Sequence, residues 1–107
     1  MDEKISRDEL KEKVIEVIKE IYDPEIPVNI YDLGLIYDIK ITEQNEVVVL
    51  MTLTAPNCPE AGSIVAQVEF DIKEILEVKD AKVILTFDPP WDRDKLSDAA
   101  KLELGLL

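Results

Sequence analysis

Histidine is absent from this 107-residue chain. That gap excludes a Cys–His dyad, a Ser–His–Asp triad and every histidine-ligated zinc or iron site built within one chain. Cysteine is almost as scarce. Cys58 stands alone, so no intrachain disulfide can form, and one cysteine without histidine cannot close a structural zinc site. A hydrolase built on this chain would need an unusual carboxylate or lysine base. No apolar run approaches the roughly 20 residues that span a bilayer. The opening Met1-Asp2-Glu3-Lys4 lacks the basic start and apolar stretch of a signal peptide. A cytoplasmic protein that does not engage a membrane is the expectation. Repeats, low-complexity tracts and linkers are missing too, so residues 1–107 read as one domain, large enough for a core without covalent staples.

Positive charge is also in short supply. Asp and Glu number 24 against 12 Lys and Arg, a net charge of −12. Such a surface repels phosphate and argues against nucleic acid as a partner. It also keeps a small protein soluble, and most of it reads as a solvated face. Hydrophobic residues make up 47%, as in globular rather than disordered chains. Abundant Glu, Lys and Ile with few Asn and Gln fits a heat-adapted composition.

Periodicity orders what is present. Ser6-Arg7-Asp8-Glu9 fits a capping box, and Leu10, Val14, Val17, Ile18 and Ile21 form one apolar stripe, which predicts a helix over 7–21. Pro24 drives Asp23 out of helical geometry. Residues 23–34, with two prolines and Gly34, form an ordered loop with one helical turn at 29–32, pinned by Ile26, Val28, Ile30 and Leu33. Strand patterns follow over 35–42 and 47–54, joined by a hairpin at 43–46. Ala61, Ile64, Val65, Val68, Ile72, Ile75 and Leu76 recur at helical spacing, predicting a second helix over 59–77 with Phe70 off its apolar stripe, a candidate partner contact. Ala81, Val83, Leu85 and Phe87 alternate as a third strand, which Asp88-Pro89-Pro90-Trp91 stops. Asp92 and Ser97 fit N-caps of two short helical pieces, and Gly105 fits a C-terminal cap.

The expected product is an α/β (α+β) two-layer domain with a three-stranded mixed sheet. Both longer helices should lie on the face made by Leu35, Tyr37, Ile39, Val49, Met51, Val83 and Leu85. Strand 2, helix 2 and strand 3 make a βαβ unit, so those strands run parallel with a right-handed crossover. The loops after strands 2 and 3 and the loop before strand 1 then leave from one edge of the sheet. Asp23, Glu25, Thr54, Cys58 and Trp91 should gather there, at the place where open α/β sheets bind ligands.

Cys58 precedes Pro59, a residue favoured at the first helical position, so the thiol falls at an N-cap. The helix dipole and unpaired N–H groups there favour the thiolate, and Glu60 opposes them. The plainer alternative is a small buried residue in a tight turn. Asp23 and Glu25 flank Pro24 and fit a cation or a backbone N–H, although such residues are more often plain turn formers.

The stretch Asp23-Pro24-Glu25-Ile26-Pro27-Val28-Asn29-Ile30-Tyr31-Asp32-Leu33-Gly34-Leu35-Ile36, then Met51-Thr52-Leu53-Thr54 with Cys58-Pro59, then Asp88-Pro89-Pro90-Trp91, resembles the signatures of the SufT/PaaD-like family associated with iron–sulfur protein maturation. The resemblance spans nearly the whole chain in the same motif order. It implies an α-β-β-α-β-α fold like that of iron–sulfur assembly domains and a role in delivering clusters to apoproteins, or in helping other factors do so. It maps the family's reactive cysteine onto Cys58, acidic loop residues onto Asp23 and Glu25, and the strand-end threonine onto Thr54. Ala55 departs from relatives that carry a second threonine.

Three readings result. The first is a non-enzymatic accessory factor in which Cys58 is a thiolate ligand or transient thiol contact for an iron–sulfur cluster or iron. Its partners are apoprotein clients and assembly factors. One cysteine cannot supply the four ligands of an ordinary cluster, so a cluster would need two subunits plus an outside thiol, or a partner's cysteines; the monomer holds none stably. The second is a protein-interaction adaptor with Cys58 incidental. Ile36, Val48, Leu50 and Ile84 are apolar where a solvated sheet face should be polar. The C-terminal segment with Leu102, Leu104, Leu106 and Leu107 is the expected cover, and a homodimer or a client the alternative. The third, a thiol enzyme using Asp23 or Glu25 as base, ranks last because a carboxylate matches a thiol proton poorly at neutral pH.

Overall fold

The computed structural model describes residues 6–23, 26–54 and 61–105. Helix α1 spans Arg7–Ile18 and opens on the capping box: Ser6 Oγ accepts the Glu9 N–H at 3.1 Å, and Glu9 Oε1 accepts the Ser6 N–H at 3.2 Å. Leu10, Val14 and Ile18 are its buried stripe. The helix ends three residues short of the expected Ile21 because the backbone there has other partners. Ile21 O accepts the Ile30 N–H, and Tyr22 bridges Asn29. Ile21 is still buried, so the apolar stripe outlasts the helix that carries it.

Strands β1 (Ile36–Ile41), β2 (Glu46–Met51) and β3 (Asp80–Leu85) form one mixed sheet in the order β1-β2-β3. β1 and β2 are antiparallel, and β2 and β3 are parallel, in register from Glu46–Asp80 to Met51–Leu85. Strand 3 therefore pairs with strand 2, not strand 1. The β1–β2 hairpin turns at Asn45 with φ 61°, a left-handed position that asparagine tolerates. Thr42 Oγ1 accepts the N–H groups of both Gln44 and Glu46 across that turn. Helix α2 (Ala61–Lys73) connects β2 to β3. It also stops short of the expected residue 77: Ile75 and Val78 donate to carbonyls three residues back, and the chain turns. Leu76, expected in the apolar stripe, sits in that turn 92% exposed. Phe70 is 61% exposed, as its place off the stripe implied.

Helix α1 packs on β1, α2 packs on β3, and the helices touch each other, so both lie on one face. The core between the layers includes Leu10, Val14, Ile18, Val49, Val68 and Ile72. Two residues expected on that face behave differently. A bulge between Ile36 and Asp38 leaves Tyr37 unpaired against β2. The extra residue changes the alternation, so Ile36 packs against the core and the Tyr37 hydroxyl reaches the Pro89 carbonyl at 2.6 Å. Leu85 is 39% exposed and Phe87, beyond the strand, 38%. β3 is an edge strand, and its cover thins from buried Ala81 through half-buried Val83 toward its end. Glu69 of α2 accepts the Val83 N–H at 2.9 Å and blocks part of that edge from strand addition.

After β3 come a cis Asp88–Pro89 bond, a short 3-10 turn (Arg93–Lys95) and helix α3 (Asp98–Glu103). Asp92, Ser97 and Gly105 cap these pieces: Asp92 Oδ1 accepts the Asp94 N–H, Ser97 Oγ accepts the Ala100 N–H, and Gly105 has φ 77°. Of the leucines expected to cover the outer sheet face, Leu102 is 67% exposed and Leu104 packs against the main core instead, while Leu106 and Leu107 lie outside the described residues. The segment's described contacts go to the loop before β1, where Ser97 N donates to Asp32 O at 2.8 Å. On the outer face Val48 and Leu50 stay half-buried and Ile84 is 45% exposed. No helix among the described residues is long and apolar enough to cross a membrane.

Candidate functional site

The register sets the geometry of one sheet edge. Ile36 at the start of β1 pairs with Met51 at the end of β2, and Met51 pairs with Leu85 at the end of β3. The chain before β1, the chain after β2 and the chain after β3 are therefore rooted side by side.

The segment before β1 is held by local chemistry. Asp23 is buried, 7% exposed, and its Oδ1 accepts the Ile26 N–H at 3.0 Å. Its described role is that of a turn former that fixes Ile26. Asn29 and Asp32 close the next turn: Asn29 Oδ1 accepts the Asp32 N–H at 2.9 Å and Asn29 Nδ2 donates to Asp32 Oδ2 at 2.8 Å. The Gly34 N–H then bonds to Tyr31 O, and the Leu35 N–H to Ile30 O, with Gly34 at φ 83°. That pair of bonds around a left-handed glycine is a Schellman ending, and the buried Ile30 and Leu35 supply its hydrophobic contact.

Residues 88–97 lie against this loop like a strap. Trp91 is half-buried and its Nε1–H donates to Leu33 O at 2.6 Å. The Lys95 ammonium stands 5.5 Å from the Tyr37 ring centroid. The closest approach is at Gly34, where a Cβ would run into the Lys95 carbonyl. Glycine is needed there twice over, for its positive φ and for the space. Ile26, Trp91, Arg93, Leu96 and Leu104 line a mostly apolar, partly open pocket of about 250 Å³.

Of the expected site residues, Asp23 and Trp91 belong to segments that meet through Ile26 and Leu33. Thr54 is half-buried just past the end of β2. Cys58 and Glu25 lie outside the described residues, as does the residue Ala55. Among the described residues no cluster of three or more Asp, Glu, His or Cys could hold a metal ion. Sequence reasoning placed Gly34 in the converging loop but missed its contact with Lys95, and it missed Tyr37, Leu96 and Leu104 as parts of this end of the molecule. It also missed Thr52, which is fully buried and whose hydroxyl finds no hydrogen-bond partner among the described residues. Only Gly34 carried a readable signal, a glycine closing a helical turn between two leucines.

Comparison with known proteins identifies the class. Residues 11–85 match the family described as iron–sulfur cluster assembly protein. The chain is 47% identical over 91% of its length, and 92% of the relative's, to an Fe-S protein maturation auxiliary factor of Porphyromonas gingivalis. It is 37% identical to the Fe-S protein maturation auxiliary factor SufT of Staphylococcus aureus, over 80% of this chain and 98% of that one. The crystal structure of a domain of unknown function, DUF59, from Bacillus anthracis superposes with a TM-score of 0.85 at 35% identity, covering 92% of this chain and 93% of the other. This chain belongs to the iron–sulfur cluster assembly protein family.

Proposed function

We propose that this protein is a non-catalytic accessory factor in iron–sulfur protein maturation that works at the sheet edge where its three loops are rooted. Relatives named as auxiliary maturation factors support the role. The observation that carries the location is the Ile36–Met51–Leu85 register, which sets the roots of the Asp23, Thr54 and Trp91 segments side by side. Cys58 follows Thr54 by four residues and is the chain's sole thiol. As a thiolate it donates an electron pair to iron of a cluster in transit, and a client thiolate replaces it on hand-over, with no change of oxidation state. A single donor makes the contact transient, since the remaining ligands come from the partner or from outside thiols. Ile26, Trp91 and Leu104 give the client an apolar surface where the loop before β1 meets residues 88–104.

Anaerobic reconstitution with iron and sulfide, then transfer to an apo-ferredoxin, tests this. Transfer assisted by the wild type and lost in Cys58→Ser supports the thiol role. Equal transfer by both removes it. The adaptor reading keeps one specific observation, the half-buried Val48 and Leu50 beside exposed Ile84 on the outer face. It gains if Cys58→Ala still supports maturation of a client while Ile84→Glu does not.

A further inference from the structure

Beside the far end of α2, away from the strand-end edge, an open groove of about 340 Å³ lies between α1 and the turn that follows α2. Val17 and Ile75 form its apolar floor; both are half-buried and packed against the core. Glu16 and Glu20 stand exposed along it, and neither forms a salt bridge among the described residues. Lys13 also lines the groove, but its ammonium is held 3.0 Å from Glu77, so its charge is already matched. Leu76, the residue after Ile75, is 92% exposed, and no internal contact accounts for an apolar side chain there.

An apolar floor with unmatched carboxylates selects its occupant by charge. A second copy of this chain, at net −12, is repelled, and so is an anionic lipid surface. We propose that this groove docks a basic amphipathic segment of a partner protein, with aliphatic side chains on Val17 and Ile75 and Lys or Arg against Glu16 and Glu20. Helix-in-groove recognition has this form, with apolar anchors at helical spacing and charged flanks. The surface uses neither Cys58 nor the strand-end loops, so it stands apart from the maturation reading and its failure would leave that reading intact.

The test is an amide chemical-shift titration of the labelled full chain with a synthetic helical peptide that carries leucine on one face and lysine on the other. Two controls replace its leucines by serine or its lysines by glutamate. The expected result is saturable binding of the first peptide alone, with shifts centred on Val17, Ile75 and Leu76. Glu16→Lys/Glu20→Lys, at a helix C-terminus where cations are tolerated, should weaken it by about tenfold or more. Leu76→Ser, at an exposed position that spares the core, should weaken it less. Equal binding of the serine peptide, shifts scattered over the acidic surface or centred on Ile84 and Phe87, or an unchanged Kd in the charge-reversal variant would each overturn the proposal.

Discussion

Between the helices and the sheet, Leu10, Val14, Ile18, Val49, Val68 and Ile72 are closed off from water with no polar group taking part. At the end where residues 26–37 meet 88–104, the chain is fastened at points: Trp91 to Leu33, Tyr37 to Pro89, Ser97 to Asp32, and Lys95 over Gly34. Burial in the first region is shared among many side chains, so no one contact decides where the helices lie. In the second, a few directional bonds add to the burial of Leu33, Leu96 and Ala100 in fixing a whole segment, and each bond can be removed alone. A region built in this way can be detached locally while the rest stays folded, which is the character expected of binding loops. The proposed working surface falls in the second region, whose Leu33, Leu35, Leu96 and Ala100 are continuous with the core beneath the helices.

The largest effect should come from the first region. Ile72→Ala empties a fully buried site between α2 and the sheet and should cost about 2–5 kcal/mol. Denaturant unfolding should show a lower midpoint with an unchanged slope, because the whole domain loses stability together. A second transition in that curve would mean the helical layer does not unfold as one cooperative unit with the sheet.

Gly34→Ala should rank next and act differently. An alanine at φ 83° carries roughly 1–2 kcal/mol of backbone strain, and its Cβ collides with the Lys95 carbonyl, so the strap must lift. Hydrogen exchange should accelerate first at the Ser97 amide, which donates to Asp32, and little at amides within α2. Uniform acceleration through α2 would show that the strapped end and the helical layer open as one.

The difference between the regions also explains what was legible in the sequence. The capping box at Ser6 and Glu9, the buried stripe of α1 and the βαβ crossover are written in local spacing, and local spacing is what a sequence displays. The bulge at Tyr37 is not, because one extra residue in a strand leaves no mark until a partner strand fixes the register. Nor is the destination of the C-terminal segment. Its leucines fit any apolar surface, and it is the long-range bonds from Trp91 and Ser97, with the burial of Leu96 and Ala100, that fix it at the loop. The helix ends were misread for a related reason: Ile21 and Ile75 keep the helical apolar period while their backbones bond elsewhere. For the site, the shared edge followed from topology, whereas the buried hydroxyl of Thr52 and the tight fit at Gly34 needed coordinates.

Trp91→Phe isolates one of the fastenings. It keeps an aromatic wall for the pocket and removes the bond to Leu33 O, a net loss of about 0.5–1.5 kcal/mol. Thermal unfolding should shift by a few degrees at most. Client maturation by this variant should fall more than its stability does, because the altered segment borders the proposed client surface. Activity that tracks stability alone would make Trp91 an anchor and nothing else.

The smallest effect belongs to the Lys13–Glu77 pair, which ties α1 to the turn after α2 at 3.0 Å. The hydrogen bond from the Lys13 ammonium is the main reason the Glu77 carboxyl titrates below its usual range. A carboxyl whose pKa is lowered on folding stabilises the fold above the unfolded value, and that contribution disappears as pH falls through the lowered one. Both side chains are solvent-accessible, so the contribution is small and screened by salt. Lys13→Gln should therefore lower the melting temperature slightly at neutral pH and low salt. The gap from wild type should close in acid, and close again at neutral pH in about 1 M salt, where the screening length is about 3 Å. A gap that persists in acid would mean that the Lys13 stem, packed along the groove, matters through its apolar contacts rather than its charge. That outcome would make this exposed tie resemble the helical layer, where burial is shared, more than the strap, where single polar bonds add to burial.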